Sequence, residues 1–76
     1  MSYIKLWALT QAGRAVARNT NNPNTVAYRI VHYMDQMRRA MTPDQISSGL
    51  GIDQGTVNIQ LGGLSRATPP LVGVVA

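Results

Sequence analysis

Met41-Thr42-Pro43-Asp44-Gln45-Ile46-Ser47-Ser48-Gly49-Leu50-Gly51-Ile52-Asp53-Gln54-Gly55-Thr56-Val57 is the stretch that decides the fold. Thr42-Pro43-Asp44-Gln45 is a capping box. The Thr42 hydroxyl can accept the Gln45 backbone N–H, Gln45 can reach back to the Thr42 backbone, and Pro43 presets φ at the first helical position. Met41 before the cap and Ile46 after it stand where a hydrophobic staple needs them. The helix is expected to run to about Leu50, and Gly51 supplies the left-handed residue that ends it. Asp53 then caps a second helix, Ile52 can staple onto Val57, and Leu61 and Leu64 follow at helical spacing. Two short capped helices joined by a glycine turn should therefore share one core. Its expected members are Ile46, Leu50, Ile52, Val57, Leu61 and Leu64, packed on Ile30, Val31 and Met34.

Upstream, Ala27, Ile30, Val31, Met34, Met37 and Met41 recur at three- and four-residue steps and draw one apolar stripe. Asn22 and Pro23 suit the cap and first turn of that helix. Arg38 and Arg39 fall near its C-terminal end, where cations complement the helix dipole. Before it, Asn19 to Pro23 reads as a loop, and Gln11 to Arg18 as a two-turn helix capped by Thr10. Tyr3 to Leu9 is rich in β-branched and aromatic residues and reads as a short strand. Downstream, Thr68-Pro69-Pro70 cannot continue a helix, and Leu71 to Val75 is a strand by composition. The expected fold is mainly α with a small β-sheet, in the order β-α-α-α-α-β, as a single domain over residues 1–76.

Composition narrows the function. The 76 residues carry no cysteine, so disulfides and thiolate chemistry are out. Seven Lys/Arg stand against three acidic residues, all aspartate, giving a net charge of +4. That balance favours a polyanionic partner, although charged residues are only 13% of the chain. No apolar run approaches the ~20 residues of a membrane span, and the first residues lack the features of a signal peptide. The expected address is cytoplasmic. His32, Asp35, Asp44 and Asp53 are scattered, without metal-ligand spacing. A triad of His32, Asp35 and Ser47 or Ser48 is far less expected than an ordinary half-buried histidine. Gly62-Gly63 lacks the Lys-Ser/Thr of a phosphate loop. The chain reads as a non-enzyme without metal or cofactor.

With these residues in view, the chain resembles the winged helix-turn-helix family over roughly residues 24–76. The resemblance rests on Met41 to Ile46, Gly49 to Asp53, Thr56-Val57 and Leu61-Gly62-Gly63-Leu64. It implies a short strand at Ala40-Met41-Thr42, a recognition helix after Asp53, and a β-wing from Arg66 onward. Leu6-Trp7-Ala8-Leu9-Thr10-Gln11-Ala12-Gly13-Arg14 resembles a family phrase that usually follows the wing. Here it comes first, which implies that the N-terminal strand pairs antiparallel with Leu71–Val75 and rebuilds the wing from both chain ends.

The resemblance implies double-stranded DNA as the partner and a role in transcription or replication control. Gln54, Thr56, Asn58, Ile59 and Gln60 are the expected reading residues, because amide side chains pair with adenine edges in the major groove. Arg66, Arg38 and Arg39, with Lys5, Arg14 and Arg18, form the pool of phosphate contacts, too many to share one face. The recognition helix departs from the family in carrying no cation before Arg66. Gly62 and Gly63 either sit inside the helix or form its exit. The competing reading is a protein-interaction module, or a homodimer, that uses the same scaffold with exposed Ile59 as a contact.

Overall fold

The computed structural model describes residues 5–19 and 25–75. The elements are β1 (Trp7–Leu9), α1 (Gln11–Asn19), α2 (Val26–Met37), α3 (Pro43–Leu50), α4 (Gln54–Arg66) and β2 (Val72–Val74). The order is β-α-α-α-α-β, mainly helical with a small sheet, as the sequence predicts. Tyr3 and Ile4, expected in the first strand, lie outside the described residues.

The capping box forms as the sequence dictates. Thr42 Oγ1 accepts the Gln45 N–H at 3.2 Å, and Gln45 Oε1 accepts the Thr42 N–H at 3.1 Å. Gly51 closes α3 with φ 65°, a region in which L side chains are strained. The turn is locked twice more through Ser47. Its hydroxyl donates to the Ile52 carbonyl at 2.6 Å, and its own carbonyl accepts the Ile52 N–H at 3.2 Å. Asp53 caps α4 by accepting the Thr56 N–H at 3.3 Å. Satisfying these first-turn donors is what lets α3, at eight residues, hold its shape.

α2 differs from its expected extent at both ends. Thr25 is its cap, accepting the Tyr28 N–H at 3.3 Å; Asn22 and Pro23 lie outside the described residues. At the other end the chain reverses at Arg38, which adopts φ 53° and donates its N–H to the Met34 carbonyl. A non-glycine residue in this conformation costs about 1 kcal/mol or more. Met37 consequently sits at the helix end, 37% exposed, and does not extend the core stripe. Met41 is buried, but through a different element: it forms a bridge with Trp7, with both N–H to O=C distances 2.8 Å. A four-residue step fits a continued helix and a reversed chain equally well, so periodicity alone could not separate them.

β1 and β2 pair antiparallel, Trp7 with Val74, Ala8 with Gly73 and Leu9 with Val72. The two ends of the described chain thus close one sheet, and β1 runs between β2 and Met41. Val75 adds a further bond from its N–H to the Leu6 carbonyl at 2.8 Å. α1 lies so close to the segment entering β2 that a Cβ at Gly13 would run into the Leu71 carbonyl. The core contains Ile30, Val31, Met34, Met41, Ile46, Val57, Leu61, Leu64, Val72 and Ala17, with Leu50 and Ile52 packed against it. Every core residue expected from the sequence is there. α4 continues through Gly62 and Gly63 to Arg66, so the glycines are not its exit.

Candidate nucleic-acid interface

α4 buries Val57, Leu61 and Leu64, which turns the rest of its circumference outward. One flank of that outer surface borders a groove of about 680 Å³, shared with the N-terminus of α3 and the lead-in to β1. Gln54, Asn58, Gly62 and Ser65 line it from α4, at steps of three and four that keep them on one side of the helix. Arg66 closes it at the C-terminal end of α4, and Lys5 and Trp7 contribute from the start of the sheet. Thr42, Pro43 and Asp44 complete the wall. The groove therefore offers two amide side chains one helical turn apart, with two cations and one carboxylate on its walls.

The expected reading residues do not all share this face. Thr56 and Gln60 stand two positions from Gln54 and Asn58, which on a helix is a rotation of about 200°. They are half-buried and do not line the groove. Ile59 lies between the two flanks on the outermost side of α4, 74% exposed. The absence of any side chain at Gly63 and Gly55 leaves it standing clear.

The cations divide into two groups. Only Lys5 and Arg66 belong to the α4 groove. Arg38 and Arg39 instead join Arg14 and Arg18 around a separate cleft of about 350 Å³, walled by Ala8 and Leu9 of β1. Four of the six arginines and lysines in the expected phosphate pool thus converge after all, but beside α1 and β1 instead of beside Gln54 and Asn58. The reversal at Arg38, invisible to helical periodicity, is what carries Arg38 and Arg39 there.

Trp7 is the groove residue that sequence reading missed as a site residue. Its indole Nε1 is buried without a hydrogen-bond partner while the ring borders the groove. A strand-like alternation marks Trp7 only as apolar and says nothing of which neighbour it meets. His32 and Asp35 do not act together. His32 Nε2 is buried with no partner, Asp35 lines the arginine cleft, and the Ser47 hydroxyl is committed to the α3–α4 turn. Among the described residues no group of acidic or histidine side chains could hold a metal ion, and no helix is long and apolar enough to cross a membrane.

No family model, curated protein or solved structure matches this chain.

Proposed function

We propose that this protein is a cytoplasmic, non-enzymatic double-stranded DNA-binding domain of the winged helix-turn-helix kind, serving transcription or replication control and reading DNA with α4. The observation that carries the reading is the α4 groove, which Gln54 and Asn58, one turn apart, line together with the cations Lys5 and Arg66. Amides specify bases and cations position the backbone. On this reading the two-stranded sheet, whose β2 packs against α4, acts as the wing and contacts the flanking phosphates. Thr56 and Gln60 have no part in this reading, and Ile59 is available to a thymine methyl.

Two cations in the groove correspond to about two neutralised phosphates and a log–log salt slope near −2, at about 0.9 per phosphate. The test is a titration with short random-sequence duplex at about 50 mM salt, the low end of the usual range, followed by Trp7 fluorescence and residue-resolved NMR. Trp7 is the only tryptophan and borders the groove, so its emission should change on binding. Asn58→Ala should flatten preference among sequences, whereas Lys5→Ala and Arg66→Ala should weaken binding to all of them by similar factors. No change in Trp7 emission and no localised shifts on α4 would overturn the proposal.

A second reading rests on Ile59 alone. An isoleucine 74% exposed on the crest of a helix is suited to a protein contact or a second copy of the chain. In that case Ile59→Asp abolishes association, and the association is insensitive to salt.

A further inference from the structure

We infer that the cleft between α1, β1 and the end of α2 is an anion site for a ligand with two or more neighbouring phosphates, separate from the α4 groove. Arg14 and Arg18 stand four apart on α1 and so rise from the same face, and Arg38 and Arg39 arrive from the reversal after α2. Asp35 is the single carboxylate on the wall. Among the described residues no ion pair between it and any of these arginines is formed. The C-terminal end of α2 adds about half a negative charge, which leaves a net charge of about +2.5 across four guanidinium groups. Guanidinium presents paired N–H donors that match phosphate oxygens two at a time. A volume of about 350 Å³ is within the roughly 300–1,000 Å³ of small-ligand sites.

Arg38 gives the cleft its specific character. The left-handed position it occupies, φ 53°, is the one that glycine fills at least cost. The arginine side chain there contributes nothing to capping, which is performed by its backbone N–H to the Met34 carbonyl at 3.0 Å. Its guanidinium is thus free of a structural task at a point where three other arginines converge.

The inference does not depend on DNA reading by α4, and the two fail separately. Inorganic triphosphate is the first probe, titrated into the full chain at low salt and followed by NMR. Shifts should be confined to Arg14, Arg18, Asp35, Arg38 and Arg39, with α4 unaffected. Arg14→Ala with Arg18→Ala should weaken binding by at least about tenfold. Arg38→Gly should also weaken it while leaving the thermal midpoint equal or higher, because glycine suits that backbone. Arg29, exposed on α2 and outside the cleft, serves as the control, and Arg29→Ala should change affinity by no more than about twofold. Short duplex DNA is the second probe. Competition with triphosphate at these same residues supports a site for successive phosphodiesters, and triphosphate binding without competition supports one for a free phosphorylated molecule. No localised shifts with either probe, or an Arg29→Ala loss as large as that of the cleft variants, would overturn the inference.

Discussion

Gly13→Ala and Gly63→Ala make the same chemical change inside a helix and should move stability in opposite directions. A methyl group at Gly13 would enter the space of the Leu71 carbonyl and lie 3.1 Å from both the Leu71 carbonyl carbon and Leu9 Cδ2. Two of these three contacts are with backbone, which cannot swing aside as a side-chain tip can. Relief requires α1 to part from the segment entering β2. That segment is held by Thr10 N–H to the Leu71 carbonyl at 3.1 Å and by the Thr10 hydroxyl to the Pro70 carbonyl at 2.5 Å. Overpacking costs about 1–3 kcal/mol, and each weakened hydrogen bond about 1 kcal/mol. Replacing glycine by alanine in a helix returns about 1 kcal/mol. The balance is a loss of about 2–4 kcal/mol. For a domain this size, at roughly 4–8 °C per kcal/mol, the midpoint falls by about 10–30 °C. At Gly63 a Cβ meets nothing within 4 Å, so only the helix gain remains, about 0.5–1 kcal/mol and roughly 2–8 °C upward. Thermal unfolding followed by far-UV circular dichroism measures both. An unchanged or raised midpoint for Gly13→Ala would refute the close packing of α1 on Leu71.

Leu61→Ala, at a fully buried position in the core, should lose about 2–5 kcal/mol in urea unfolding because the helix crossing cannot collapse onto the space left. Deleting residues 71–76 removes β2 and buried Val72. It should lower the midpoint of the whole domain, and an unchanged midpoint would show that β1 does not need its partner. Thr42→Ala removes the acceptor for the Gln45 N–H and should cost about 0.5–2 kcal/mol, read in the same unfolding assay. In DNA titrations across salt, a slope near −2 at about 0.9 per phosphate corresponds to contacts through Lys5 and Arg66, and a much steeper one means that the arginine cleft engages the same duplex.

The helix boundaries around the glycine turn are local features, because Thr42, Gln45, Gly51 and Asp53 act on backbone groups within three or four residues of themselves. The core was legible in the sequence for the same reason: Ile46, Val57, Leu61 and Leu64 repeat at the helical period, and an apolar stripe must be covered. The pairing of the two strands was legible through a simpler constraint, that a lone strand leaves its backbone unsatisfied. The surface was decided by the tertiary structure. A helix positions Gln54 and Thr56 on different flanks whatever their shared chemistry, and only the packing of Val57 and Leu61 selects the flank that meets Lys5, Trp7 and Arg66. Where the arginines go turns on Arg38, whose left-handed backbone no local pattern announces. α2 ends at the left-handed Arg38, and three residues further on the Met41 backbone pairs with Trp7, 34 positions away in the chain. Capping and periodicity are local and survive in the sequence as pattern. A binding surface is the sum of long-range contacts, and those exist only once the chain has closed.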